Sequence, residues 1–140
     1  MVETPRALVE SFYADVWNRR DTCRAREIIA SDFRFRGSLG PEKRGVEGFL
    51  AYVDAVHEAL GDYTCHIEDL IATPQRVAAR MMFRGIHQAE FFGVPPTYQT
   101  LAWSGAAFFT IRDGQLSELW VLGDIDAIKT QLGSASRSDF

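Results

Sequence analysis

The sequence predicts an α+β domain in which a curved antiparallel or mixed β-sheet wraps around three N-terminal helices and leaves a cone-shaped hollow. Apolar residues recur at three- and four-residue spacing over about the first 60 residues and at alternate positions afterwards. The pair Asp113-Gly114 separates two strand-like segments, which is typical of a tight hairpin. Helices followed by antiparallel hairpins indicate the α+β class, and the 140 residues are predicted to form one domain, residues 1–140.

The three N-terminal helices are predicted from their start signals and their apolar spacing. Thr4 is expected to cap the first helix, with Pro5 in its first turn, and Asp21 to cap the second. Gly61 is expected to end the third. The predicted helices cover residues 5–17, 22–29 and 46–60.

The strands are predicted from alternation of apolar and polar residues, and a short final helix is expected to end at Gly133. The predicted strands cover residues 32–36, 63–72, 76–91, 97–112 and 115–122, and the final helix covers residues 124–132.

Composition and charge exclude several classes of function. Fifteen Lys and Arg against 19 Asp and Glu give a net charge of -4 without a basic run, so we expect no nucleic-acid partner. The charge-free stretch 91–111 contains Pro95 and Pro96 among polar residues, so we expect no membrane span. The N-terminal residues do not resemble a secretory signal, and we expect a cytoplasmic protein with Cys23 and Cys65 reduced.

The motifs of nucleotide, metal and nucleophilic enzymes are missing from the sequence. It has no phosphate-binding loop, dinucleotide fingerprint, G-x-S-x-G elbow or paired C-x-x-C. His57 and Glu58 begin an H-E-x-x-H pattern, but Gly61 stands at the second histidine position. We therefore expect no metal and no organic cofactor.

Asp124 is the most informative polar residue, because it ends the apolar strand segment 119–123. Strand parity places Trp120, Leu122 and Asp124 on one face. If that face is concave, the apolar neighbours desolvate the carboxylate and increase its basicity toward a carbon acid. The alternative is that Asp124 only caps the last helix, since Asp is an ordinary N-cap residue.

His87 is the second candidate, because it shares a strand face with Met81 and Phe83. It is interpreted as a hydrogen-bond donor to substrate or, alternatively, as a core histidine with satisfied nitrogens. Aromatic residues make up 12% of the chain, more flat apolar surface than a small core needs, and are expected to wall a ligand cavity. The expected substrate-binding residues are Trp103, Trp120, Phe91 and Arg36, with the arginine facing a ligand oxygen unless it is merely solvated.

Several motifs, in a fixed order along nearly the whole chain, match one family. They are FYADVWN at 12–18, IEDLIA at 67–72, GIHQAEFFGVPPT at 85–97, the hairpin pair at 113–114, and Trp120 followed by Asp124 and QLG at 131–133. In these motifs the chain resembles the SnoaL-like polyketide cyclases, which are ester cyclases of the nuclear transport factor 2-like superfamily.

The resemblance implies a cone-shaped domain with a deep apolar pocket. It also implies an enzyme that closes the last ring of an aromatic polyketide without a cofactor. Asp124 would remove a proton alpha to an ester carbonyl, the enolate would attack a neighbouring carbonyl, and the resulting alkoxide would be protonated. His87 would donate a hydrogen bond or orient the reacting groups. The chain departs from the family at Tyr98 and Gln99, where glycine and a basic residue are common, and at Thr110, where many members have His or Arg.

Other functions of the same cone remain open. One is a noncatalytic protein that binds a small apolar or aromatic molecule, and another is a related isomerase, dehydratase or hydrolase. A homodimer is also expected, because Phe108 and Ala106 have the strand parity opposite to Trp103 and would leave an apolar outer face.

Overall fold

A computed structural model describes residues 3–136, in which helices pack against one face of a six-stranded sheet. Helix α1 is Pro5–Ser11 and continues as a π-helical segment, Phe12–Trp17; α2 is Thr22–Ile28, α3 is Gly45–Ala59 and α4 is Ile125–Ser136. The strands are β1 Ile29–Arg36, β2 Lys43–Arg44, β3 Leu60–Ala72, β4 Arg76–His87, β5 Thr100–Arg112 and β6 Gln115–Gly123. The predicted α+β class, with three helices before the long hairpins, is confirmed.

The sheet is mixed and has the strand order β2-β1-β6-β5-β4-β3. Strands β1 and β6 are parallel, and the other neighbours are antiparallel. The register shifts between Gly61 and Thr64 and between Ile67 and Asp69 in β3, and such bulges bend a strand. The sheet therefore curves around the helices and leaves space on its concave face.

The start signals and the hairpin signal act as the sequence predicts. The side chain of Thr4 accepts a hydrogen bond from the backbone N–H three residues later at 3.1 Å, and that of Asp21 does the same at 2.9 Å. Asp113 and Gly114 have φ of 52° and 74°, which a two-residue hairpin turn with both central residues left-handed requires.

Several predicted boundaries are wrong. Helix α3 passes directly into β3 at Leu60, so Gly61 lies within a strand. Leu60 is fully buried. It packs so closely against β4 that a Cβ added at Gly85 would lie 2.8 Å from the Cβ of Leu60, and this packing fixes the start of β3. Strand β4 ends at His87, and α4 continues through Gly133 to its last turn.

The π-helical segment packs against β3. Its residues Phe12, Tyr13, Val16 and Trp17 are buried, and the N–H of Asn18 donates to the carbonyl of Tyr13 at 2.9 Å, five residues back. The side chain of Asn18 also donates to the Cys65 carbonyl at 3.0 Å and accepts from the Cys65 N–H at 2.8 Å. This pair of bonds fastens the segment to β3.

Within residues 3–136, no helix combines the length and apolar character needed to cross a membrane. Cys23 is exposed and Cys65 is buried, and neither forms a disulfide.

An aromatic hollow as the candidate ligand site

The helices and the concave face of the sheet border a narrow hollow that opens to solvent. Most of its wall is aromatic, and the rings come from the π-helical segment, β1, α3 and the three long strands. These side chains are Tyr13, Trp17, Phe35, Tyr52, Tyr63, Phe83 and Trp103. A hollow of this shape suits a small, flat, largely apolar molecule.

Trp103 lies at the centre of the ring cluster and is 3% exposed. Its ring centroid is 5.7 Å from that of Phe83 and 6.1 Å from that of Tyr63, with interplanar angles of 40° and 32°. The rings of Trp17 and Tyr52 meet edge to face at 6.0 Å on the helical side. A bound ligand would thus meet ring faces and edges in fixed orientations.

The segment after β1, residues 37–39, also lines the hollow. The Ser38 hydroxyl donates to the Val121 carbonyl at 3.2 Å and accepts from the N–H of Gly123. The Tyr52 hydroxyl accepts from the N–H of Leu39 at 3.3 Å, and burial raises the pKa of Tyr52 to about 12. These bonds hold residues 37–39 to both β6 and α3.

The phenols in the deeper wall are donors rather than bases. Burial, with a smaller contribution from the nearby Cys65 thiol, raises the pKa of Tyr13 and of Tyr63 well above the usual value. Burial also raises the pKa of Cys65 itself, so that the thiol stays protonated and weakly nucleophilic. At neutral pH the Tyr13 hydroxyl can donate a hydrogen bond to a ligand oxygen, whereas the Tyr63 hydroxyl is already hydrogen-bonded to the Cys65 thiol, which does not line the hollow.

Among the described residues that line the hollow, none carries a carboxylate or an imidazole. Residues 3–136 also contain no group of three or more His, Cys, Asp or Glu side chains placed to hold a metal ion. In this conformation, the wall therefore supplies apolar surface and hydrogen-bond donors but no general base.

Asp124 lies outside this wall. It is exposed, and its carboxylate accepts a hydrogen bond from the N–H of Ala127 at 3.0 Å, which makes it the N-cap of α4. The capping interaction that the sequence allowed as an alternative is thus present in the structure.

The condition that the face of Trp120 and Leu122 is concave is not met, so the expectation that Trp120 lines the cavity is wrong. Trp120 and Leu122 are 43% and 53% exposed, whereas Leu119 and Val121 are buried and line the hollow. Trp120 and Leu122 do share one face of β6, because strand parity is a local property, and Asp124 follows the last residue of this strand. The helices cover the opposite face of β6, and that packing decides which residues point inward.

His87 is fully buried and does not line the hollow. Its Nδ1 lies 3.2 Å from the Thr97 N–H and 2.8 Å from the Thr97 hydroxyl, and its Nε2 lies 3.1 Å from the Val94 carbonyl. Because that N–H can only donate and that carbonyl can only accept, these contacts assign the acceptor role to Nδ1 and the N–H to Nε2. Both nitrogens are satisfied, as in the alternative interpretation of this histidine, and they anchor the irregular segment after β4.

Trp103 is the one predicted substrate-binding residue that lines the hollow, and the other three lie elsewhere. Arg36 donates to the Val121 carbonyl at 2.6 Å and places its guanidinium 5.1 Å from the ring centre of Trp120 on the outer face. Phe91 lies behind Trp103, with centroids 6.5 Å apart, and borders a separate groove beside α3. The expectation that Phe91, Trp120 and Arg36 wall the cavity is therefore wrong.

The outer face also contains the position at which the sequence departs from the family. The hydroxyl of Thr110 lies 3.4 Å from the Glu118 carboxylate, in a surface groove that also includes Phe108. In this structure a side chain at position 110 does not reach the aromatic hollow.

Most of the ring wall is not among the site residues that the sequence predicts. The helical spacing of apolar residues predicts only that Tyr13 and Trp17 lie on the apolar face of a helix, and no motif indicates Tyr52 or Tyr63. The signal available in the sequence is a tyrosine on the buried face of a helix. A buried hydroxyl needs a hydrogen-bond partner, and a ligand can be that partner.

A curved mixed sheet wrapped around helices, with an aromatic hollow between them, defines a nuclear transport factor 2-like cone. The family model for SnoaL-like polyketide cyclase matches residues 7–132, and the chain belongs to this family. No curated protein matches the chain significantly.

Solved structures agree with this assignment. A SnoaL-like protein of Jannaschia sp. CCS1 aligns with a TM-score of 0.83 over 96% of this chain and 98% of its own, at 20% identity, which shows the fold alone. IdmH of Streptomyces antibioticus, provisionally assigned as a polyketide cyclase, aligns at 28% identity and a TM-score of 0.82 over 94% and 99% of the two chains. AclR of Streptomyces galilaeus, provisionally assigned as a hydroxylase, aligns at 25% identity and 0.77 over 92% and 95%.

Proposed function

We propose that this chain binds a small, flat, largely apolar molecule in the aromatic hollow. The observation that carries the proposal is the wall itself, in which Trp17 and Trp103 stand among phenol rings and apolar side chains. Burying a flat ligand against such rings releases apolar surface from water and gives the binding free energy. The phenol hydroxyls supply the few polar contacts that orient it.

The second candidate is catalysis, a cofactor-independent aldol ring closure on the bound molecule. Family membership favours it. So does the position of Asp124 directly after Gly123, because a Cβ added at Gly123 would lie 3.2 Å from the indole nitrogen of Trp103, which lines the hollow. To act as the base, the carboxylate would leave the N–H of Ala127 and turn toward the rim. It would then take a proton alpha to one carbonyl, the enolate carbon would form a bond to a second carbonyl carbon of the same molecule, and the proton would return to the alkoxide oxygen that results.

Binding is tested with 1-indanone and intrinsic fluorescence. Of the chain's three tryptophans, Trp17 and Trp103 line the hollow and Trp120 does not, so a Trp120→Phe background reports from the hollow alone. We expect saturable quenching that Val121→Phe abolishes, because the larger ring occupies the space of an inward-facing valine. Leu122→Phe on the outer face of the same strand is the matched control. Equal quenching in all these variants would refute the proposed site.

Catalysis is tested by exchange of the alpha protons of 1-indanone in D2O, followed by NMR. This partial reaction needs only the base. Asp124→Asn keeps a good N-cap and removes the base, whereas Asp124→Ala removes both and should cost about 1 kcal/mol of stability. If the protein accelerates exchange and Asp124→Asn binds the ketone without acceleration, Asp124 is the base. Absence of acceleration by the unmodified protein, or full acceleration in Asp124→Asn, contradicts this assignment and favours the binding function with Asp124 as a cap.

We also propose that the outer sheet face pairs two copies of the chain. Phe108 and Trp120 are partners across β5 and β6 and are 42% and 43% exposed, and the exposed Leu122 extends the patch. Arg34 and Glu118 form an ion pair beside it, so the rim carries both signs of charge. An apolar patch with such a rim can be self-complementary about a twofold axis.

A further inference from the structure

We propose that the hydroxyl of Tyr13 is a specificity-determining hydrogen-bond donor, which selects ligands that carry a carbonyl or enolate oxygen. This inference rests on the proposed binding of a flat molecule in the hollow and names the polar group that such a molecule needs.

A tyrosine of the wall carries an unsatisfied polar atom. The Tyr13 hydroxyl is buried and has no hydrogen-bond partner within residues 3–136, and Tyr13 lines the hollow. A buried hydroxyl without a partner destabilises the folded chain, since water no longer solvates it. Phenylalanine would fill the same space without that cost, so packing alone does not explain a tyrosine here.

The hydroxyl cannot easily find a partner by moving. The Tyr13 ring meets Phe12 at 5.1 Å and Phe109 at 5.9 Å, both edge to face. Its backbone carbonyl accepts the N–H of Asn18, and the Asn18 side chain is bonded twice to the backbone of Cys65. The ring is thus held in place, and the acceptor has to come to it.

The surroundings favour an oxygen acceptor over a cation. Burial keeps Tyr13 protonated, because the raised pKa disfavours the phenolate. The nearby side chains of Tyr63 and Cys65 are also protonated for the same reason. A donor in an apolar wall bonds a carbonyl or an enolate oxygen more strongly than water would allow. By contrast, the Tyr52 hydroxyl already serves the N–H of Leu39.

The test compares 1-indanone with indane, two flat bicyclic molecules of similar size that differ by the carbonyl oxygen. We expect the unmodified protein to bind the ketone more tightly than indane and Tyr13→Phe to weaken ketone binding about fivefold, leaving indane binding unchanged. Tyr98→Phe, which alters a tyrosine that is 70% exposed, is the control. The carbonyl stretch of bound 1-indanone should lie at lower frequency in the unmodified protein than in Tyr13→Phe.

Stability provides a second measurement. Tyr13→Phe should unfold at the same temperature as the unmodified protein or at a higher one, because the substitution removes an unsatisfied hydroxyl. A clear decrease in the unfolding temperature would show that the hydroxyl has a structural partner and would overturn the inference. If both ligands bind but Tyr13→Phe keeps the preference for the ketone, the inference fails and the proposed binding function stands. If neither ligand binds the unmodified protein, both fail.

Discussion

Replacement of His87 by leucine tests whether this histidine holds the fold rather than the substrate. The substitution removes the hydrogen bonds of both ring nitrogens and leaves the Thr97 N–H without its partner, whereas the Val94 carbonyl still accepts the N–H of Phe91 at 3.1 Å. Each lost bond costs about 1 kcal/mol, and the stranded N–H adds a desolvation penalty. Since Thr97 is only partly buried, water can relieve some of that penalty, and we expect a loss of about 2–3 kcal/mol.

The assay is urea unfolding followed by circular dichroism, with the free energy extrapolated to water. His66→Leu on β3 is the control, because His66 is exposed and its replacement should change stability by less than about 0.5 kcal/mol. Thr97→Val, alone and with His87→Leu, completes a double-mutant cycle that should give about 1 kcal/mol of coupling. A stable His87→Leu protein that has lost 1-indanone binding would refute a purely structural role.

Three further results are expected. Gly105→Ala should lower stability by about 1–3 kcal/mol in the same assay, because its Cβ would lie 2.6 Å from the Phe83 ring; an unchanged midpoint would show that this ring moves freely. Burial lowers the pKa of His57 below 6.5, so the unfolded chain takes up this proton at a higher pH than the folded chain does, and the free energy of unfolding falls as the pH drops through about 6.5. His57→Gln should flatten this fall between about pH 7.5 and 5.5, and an unaltered slope would argue against a contribution from His57. Trp120→Asp should convert the proposed dimer to a monomer in sedimentation velocity, and a monomeric unmodified protein would count against the dimer.

The fold supports more than one chemistry, so the residues of the hollow must decide the function. IdmH and AclR carry a cyclase and a hydroxylase assignment and both share this architecture. In this chain the hollow has phenol and indole donors, and Asp124, the carboxylate that the sequence resemblance singles out, is engaged as a helix cap. The 1-indanone experiments separate binding from catalysis on this basis.

Local signals in the sequence predicted local structure well. Thr4 and Asp21 cap their helices and Asp113-Gly114 forms the hairpin turn, because each interaction involves residues within a few positions of one another. Gly61 misled the prediction, since the end of α3 depends on the packing of Leu60 against a distant strand.

The sequence by itself determined the α+β class, the order of the elements and the sharing of one face by Trp120 and Leu122, since all of these follow from periodicity along the chain. Only the tertiary structure decided that this shared face is the outer one, that the partners of His87 saturate it, and that Tyr13 stands in the hollow with an unsatisfied hydroxyl. The physical reason is that burial and hydrogen-bond satisfaction depend on which elements pack together. That packing brings together residues far apart in sequence, as Tyr13 and Phe109 are here.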